Sequence, residues 1–223
     1  MHRIRLPQAE SGVNPAMHRC PDTEPERQYD FCKTNCGPAI SNDDAMELKG
    51  YTVGAFDRGA PRWKEALWVL VKCVFFLNAF PWPSAIRAAL LRIFGAKIGA
   101  GTVIRANVNV SYPWRLTLGD HVWLGEEVMI LSLAPVVIES SVCMSQRAFL
   151  CTGSHDFRSE SFSLVTKPIT VRGGSWIAAQ AFISPGVEIG AGSMVCAGSV
   201  VLENVPPKSI VRGNPAQVVK QLA

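Results

Sequence analysis

The residues best equipped by type to do chemistry lie in one short stretch, Cys151-Thr-Gly-Ser-His155-Asp156. Histidine is the side chain whose ordinary titration falls near neutrality, so it suits proton transfer. Asp156 could orient the ring or bind a ligand hydroxyl; a solvated loop aspartate is the plainer alternative. Cys151 could be read as a nucleophile, but a free cysteine is commonly a small buried hydrophobe. Of the four histidines, only His121 and His155 lie in the patterned part of the chain. Cys32 and Cys36 suggest a metal pair, yet no second pair follows, and structural zinc normally takes four ligands.

The element that must position His155 is a six-residue repeat. From Val171 to Val205 an aliphatic residue returns every sixth position, at Val171, Ile177, Ile183, Ile189, Val195 and Val201. Four residues after each comes a small or short aliphatic one, at Ser175, Ala181, Val187, Ser193, Ser199 and Val205. Such a period fits neither an α-helix nor an alternating strand. It fits a parallel β-helix in which three hexads make one triangular coil. The repeat begins at Ile98 and slips by two residues at Tyr112-Pro-Trp and again across Leu131–Val137, which reads as bulged corners. It breaks from 152 to 168. A polar excursion holding a histidine between two well-phased halves is where a solenoid grows a functional loop. His121 falls inside a hexad and reads as exterior surface.

The rest of the chain divides around this repeat, expected over 98–206. Residues 1–50 are polar, without lasting periodicity, and read as a poorly ordered tail. Residues 51–97 hold two helical segments, one opened by Pro61 and one by Ser84 as N-cap and closed by Gly95. Solenoid ends need covers, so these helices are expected to cap the open coil. Arg87, Arg92, Trp82, Leu90 and Phe94 also give a basic amphipathic character suited to peripheral contact with a membrane surface. Residues 207–223 are expected to form a tail with a short helix after Pro215.

Composition narrows the class of protein. The 223 residues carry a net charge of +4, and no zinc-finger spacing, RNP motif or basic run points to nucleic acid. The apolar run Cys73–Leu77 is far short of the roughly 20 residues of a membrane span. Seven cysteines, an odd count, together with an N-terminus lacking an apolar h-region, argue for reduced thiols in the cytoplasm.

The hexads, taken with TGSHD, a WIAA step, IGAGS and VPPKSIVRGNPAQVVK, resemble the hexapeptide-repeat acetyltransferases. FDRG, LLRIFGAKIG, YPW, LGDHVWLGE, LAPVVI and KPI are similar to the colanic acid biosynthesis branch of that family. The resemblance spans Tyr51 to Lys220. It implies a left-handed parallel β-helix, a homotrimer, and transfer of acetyl from acetyl-CoA to a hydroxyl of a saccharide or lipid-linked saccharide. It implies no metal. It also implies His155 as general base, since an alcohol is a poor nucleophile near neutral pH. Because CoA is already a good leaving group, Cys151 need not act. On the donor side the resemblance places Trp176 beside the pantetheine arm. Ala179, Ala197 and Gly198 line a narrow groove between coils, where the plainer role of the small residues is packing. Lys220 stands near the CoA phosphates, with Arg212 as a second basic candidate from local charge.

The chain departs from the maltose and galactoside members at the acceptor side. A family asparagine falls on Gly125, an acidic position on Leu133, a thioester-polarising serine on Ala179, and the Thr-Lys after the last hexad on Leu202-Glu203. These departures turn the expectation from a small sugar toward a larger or lipid-linked saccharide. Other expectations stay open: an antibiotic as acceptor, or an inactive scaffold. A γ-type carbonic anhydrase on the same fold would need three zinc-binding histidines, and the repeat has two.

Overall fold

The computed structural model describes Tyr51, residues 56–156 and residues 161–223. The expected tail 1–50, with Cys32 and Cys36, lies outside these residues, as do positions 157–160 of the 152–168 loop. Two helices come first, α1 (Arg62–Phe75) and α2 (Ser84–Ile93).

Short strands then wind into coils. β1 (Lys97–Ile98), β2 (Val103–Ile104) and β3 (Asn109–Val110) form the first. β4 (Leu116–Leu118), β5 (Trp123–Leu124) and β6 (Met129–Leu131) form the second, and β7 (Val136–Ile138), β8 (Cys143–Met144) and β9 (Phe149–Cys151) the third. A hairpin follows, β10 (Gly153–His155) with β11 (Leu164–Thr166). β12 (Ile169–Val171), β13 (Trp176–Ile177) and β14 (Phe182–Ile183) resume the winding, and β15 (Glu188–Ile189), β16 (Met194–Val195) and β17 (Val200–Val201) complete the fifth coil.

Strands stack in parallel into three faces. Face A is β1-β4-β7-β12-β15, face C is β3-β6-β9-β14-β17, and face B runs from β2 through β5, β8, β13 and β16. The hexad aliphatics line up in register, for example Leu118 with Ile138, Ile138 with Val171, and Val171 with Ile189. All of them from Ile104 onward are buried. One coil cannot bury its own aliphatic row; stacking does so, while backbone bonds such as Gly119 N–H to Ile138 O (2.8 Å) and Glu139 N–H to Val171 O (2.9 Å) satisfy the ladder. The small fifth-position serines are buried with partners: Ser175 donates to Gly190 O (2.9 Å) and Ser193 to Pro206 O (2.7 Å).

The edges of the prism need left-handed backbone. Asn107, Glu127, Arg147, Gln180 and Gly198 all have φ between 59° and 67° and occupy the edge between faces B and C. The two-residue slips widen a different edge, between faces C and A. The first is a 3₁₀ turn at Pro113–Arg115. Tyr112, Ser132 and Thr152 then stack as a polar ladder: Tyr112 N–H donates to Ser132 Oγ (2.9 Å), and Ala134 N–H donates to Thr152 Oγ1 (3.0 Å).

The helices close the first coil. Trp68, Phe76, Leu91 and Phe94 join the solenoid core, and the Trp68 indole donates to Val110 O at 2.9 Å. Ser84 does not cap α2 as expected. Pro83 holds the N-cap position, and the Ser84 hydroxyl exchanges hydrogen bonds with Ile104 O and N–H (3.2 and 3.1 Å). The first coil leaves those β2 groups open, and Ser84 closes them.

The C-terminal helix expected after Pro215 is not formed. β18 (Ser209–Gly213) adds to β16 in parallel, and β19 (Ala216–Gln221) pairs with β18 in antiparallel fashion. The physical reason is the exposed edge left by the last coil, whose unpaired backbone groups a folded-back strand satisfies. Val218 and Val219 are β-branched and favour that outcome over a helix of a few residues.

Candidate active site

His155 ends β10, beside the widened edge between faces C and A. Thr152, fully buried, anchors the base of the hairpin: its hydroxyl donates to Leu131 O, and its carbonyl accepts from Lys167 N–H (2.9 Å). The hairpin register sets His155 opposite Leu164. Phe162, in the turn, adopts φ +47°; its ring stacks on the imidazole at 4.3 Å and 2°, and its carbonyl oxygen lies 2.9 Å from His155 Nδ1. A carbonyl only accepts, so Nδ1 carries the proton and Nε2 holds the lone pair. The Tyr51 ring lies 5.7 Å from the imidazole on another side. His155 is half-buried and Asp156 exposed, with Asp156 N–H donating to Ser163 O (2.9 Å).

The neighbours come from the earlier coils through the same edge. The Arg115 guanidinium bridges the carbonyls of Leu133 and Asp57, and the Arg115 cation lies over the Phe56 ring. The Leu133 side chain occupies the space beside Gly153: a Cβ there would fall 2.6 Å from Leu133 Cδ1. Cys151 is buried, its thiol donating to Gly153 O at 3.1 Å, and burial pushes the thiol pKa up. A thiol held protonated in this way is a poor nucleophile, which fits a packing role.

The expected donor-side residues gather elsewhere. Ala179 and Ala197 with Gly198 sit on successive coils at the edge between faces B and C, where Gly198 N–H donates to Ala179 O (2.9 Å). A side chain at Gly198 would meet nothing within 4 Å, so the space beside it is open. Trp176, on face B, is 45% exposed and donates its indole N–H to Ser145 Oγ (2.8 Å). Lys220 lies on β19, and the register runs Trp176–Met194–Ile210–Lys220 across four adjacent strands. At about 4.8 Å per strand that row is about 14 Å long. Arg212 is exposed on β18.

Within one chain, then, His155 stands at one edge of the prism and Ala179, Ala197 and Gly198 at another, with face C between them and Trp176 on the adjoining face B. His121 lies at the third edge, exposed, with φ 55°, as its exterior reading expects. Among the described residues no group of three or more His, Cys, Asp or Glu converges on a metal-sized space.

No family model matches the chain. The provisionally assigned colanic acid biosynthesis acetyltransferase WcaF of Escherichia coli K12 is 40% identical over 180 residues, covering 79% of this chain and 97% of that protein. The chain belongs to the WcaF family of hexapeptide-repeat acetyltransferases. A galactoside O-acetyltransferase of Escherichia coli K12 is 26% identical over 61% of this chain and 68% of its own length. The crystal structure of a hexapeptide-repeat acetyltransferase from Vibrio cholerae in complex with acetyl coenzyme A superposes with a TM-score of 0.68 at 26% identity, covering 78% of this chain and 97% of that one.

Nothing in the sequence of this acetyltransferase marks Phe162 or Tyr51 as a neighbour of His155. The break in the repeat marked the loop, but nothing in the period identifies which carbonyl in it faces the imidazole. Tyr51 is 104 positions from His155, and only the wrap of the chain brings it near.

Proposed function

We propose that the chain is an acetyl-CoA-dependent O-acetyltransferase acting on a saccharide, a precursor of exopolysaccharide or lipopolysaccharide, with His155 as general base. The observation that carries this reading is the clamp on His155. The Phe162 carbonyl holds the Nδ1 proton, so Nε2 is the basic atom. It accepts the proton of an acceptor hydroxyl as the oxygen attacks the thioester carbonyl carbon. The tetrahedral adduct collapses with loss of the C–S bond, and the imidazolium returns its proton to the departing CoA sulfur. An ester and CoA result, directly, in a ternary complex without an acyl-enzyme.

The donor-side residues fit the co-substrate. Small Ala179, Ala197 and Gly198 leave a groove for a thin pantetheine arm, and Trp176 offers a flat apolar wall. The row ending at Lys220, with Arg212 nearby, offers positive charge for phosphates. Asp156 stands beside the base as a positioning group or an acceptor contact.

A homotrimer supplies the missing proximity. Faces B and C carry apolar outer rows, Trp123–Cys143–Trp176 and Met129–Phe149–Phe182, whereas the matching row of face A, Lys97–Thr117–Val137–Thr170–Glu188, is mostly polar. Trp123 is 58% exposed in the single chain. Packing these faces between subunits would cover the rows and set His155 of one chain against the Trp176–Gly198 wall of the next. The four described cysteines are free thiols, consistent with the cytoplasm as the working compartment.

The test is acetyl transfer followed by CoA release across nucleotide sugars, lipid-linked saccharides and simple glycosides. His155→Ala should lower turnover by roughly 10²–10⁴ while leaving acetyl-CoA binding intact, the usual scale for a lost general base. Undiminished turnover in that variant rejects the assignment, and absence of acetyl-CoA binding in the unaltered protein rejects the enzyme reading in favour of a scaffold.

A further inference from the structure

The helical cap bears an exposed surface that holds none of the residues assigned to acetyl transfer. One side of α1 packs on the solenoid through Trp68 and Phe76. The opposite side presents Trp63, Leu67, Leu70, Val74 and, just past the helix, Leu77, all exposed. Successive spacings of four, three, four and three residues keep this stripe on one side of a 3.6-residue helix. Trp63 is 68% and Leu70 62% exposed. Phe80 prolongs the stripe, fixed by Trp82, whose ring lies 4.6 Å away and whose indole donates to Val74 O (3.2 Å). A solvent-facing helix ordinarily carries polar groups on that side. Here they are turned to the flanks and engaged with the body: Lys72 donates to Asn109 Oδ1 (3.0 Å), Glu65 pairs with Arg58 (2.8 Å), and Lys64 lies over the Trp114 ring.

The charge around the stripe has one sign. Between Arg62 and Lys97 the chain has six basic residues, of which Arg87 is buried, and one acidic residue, Glu65, and that one is paired with Arg58. Arg62, Arg92 and Lys97 are exposed, the first beside Trp63 and the second beside the exposed Ile93.

We propose that this face of the cap docks on an anionic lipid surface. α1 lies in the plane of the bilayer interface with its stripe at the headgroup–acyl boundary, and Arg62, Arg92 and Lys97 face the headgroups. With 14 residues, α1 is about 21 Å long, short of the roughly 30 Å hydrocarbon core, and no described helix is long and apolar enough to cross a membrane. Charge selects this occupant over others. A second copy of the chain would bring two basic margins together. Residues 1–50 lack a run of large apolar residues to match the stripe. The proposal rests on the cap alone and stands independently of the acetyl-transfer reading.

The experiment is sedimentation of the full-length protein with vesicles of phosphatidylethanolamine and phosphatidylglycerol, against vesicles of phosphatidylcholine alone, at low and high salt. Binding to the anionic vesicles, weakened by salt, is expected. Leu70→Glu should weaken it by about tenfold or more, and Arg62→Gln by about fivefold. Both variants should keep the thermal midpoint, the hydrodynamic size and acetyl-CoA binding of the unaltered protein. Three results overturn the proposal: no binding to anionic vesicles, binding unchanged in both variants, or a Leu70→Glu protein of altered oligomeric size, which assigns the stripe to a second copy. Vesicle binding by a His155→Ala protein that has lost transfer separates this inference from the catalytic one.

Discussion

The Arg87 guanidinium is buried without a carboxylate partner. It donates instead to the carbonyls of Phe75 (2.9 Å), Trp82 (3.0 Å), Ile104 (3.1 Å) and Phe80 (3.2 Å). Burial pulls its pKa down, but from so high a value that the group stays charged. Phe75 ends α1 and Ile104 ends β2, so one side chain ties both helices and the connecting loop to the first coil. Arg87→Met keeps the length and strands those carbonyls, and should cost roughly 3 kcal/mol of stability by denaturant unfolding. From the sequence alone Arg87 read as part of a basic surface. The structure corrects this: Arg87 is interior, and Arg92, though exposed, also donates to Ile98 O and Gly99 O. Helical periodicity fixes which residues share a face but not how deep that face lies, because depth is set by what packs against it.

The stacked coils bring charges from distant hexads together. Arg172 bonds Glu139 on one side and Glu188 on the other, at 2.8 and 2.9 Å, across neighbouring strands of face A. The Arg172 guanidinium and the Gly173 N–H hold the Glu139 carboxyl below its ordinary range. A carboxylate with a depressed folded-state pKa stabilises the fold above the unfolded value, near 4.3, and that contribution disappears as pH falls through the folded value. The thermal midpoint should therefore drop as pH is lowered below about 4.5, and Arg172→Met should flatten that part of the profile. All three side chains are partly open to solvent, so screening keeps the effect small. The hairpin element was half legible: the lost period marked 152–168 as an excursion, whereas its antiparallel pairing and the Phe162 clamp depend on Thr152 meeting Leu131 and Ala134 of an earlier coil.

At the scale of the whole molecule, the separation of His155 from the Ala179–Gly198 edge makes a sharp prediction. If the working site lies between subunits, a His155→Ala chain and a Gly198→Trp chain, each inactive alone, should recover measurable transfer when co-expressed. Mixed trimers then contain interfaces with an intact histidine facing an intact groove. Coupled CoA-release assays on the purified mixture read this directly. No recovery, with mixed assembly demonstrated by differential tagging, places the complete site within one chain and removes the trimer from the mechanism.

The sequence by itself determined the solenoid, because a six-residue aliphatic period can be buried in few other ways and each hexad enforces the same local choice. It marked the break that carries His155 and, through resemblance, the chemistry expected there. It could not decide the fate of the C-terminus, where an open sheet edge outweighed a weak helical preference. Nor could it find the partners of His155, since Phe162 and Tyr51 reach the ring only through the turn geometry and the wrap of the chain. The tertiary structure alone decided that His155 and the Ala179–Gly198 corner occupy different edges. Edge positions follow from counting strands around a closed coil, and the two-residue slips that widen one edge take their meaning only when the coils are stacked.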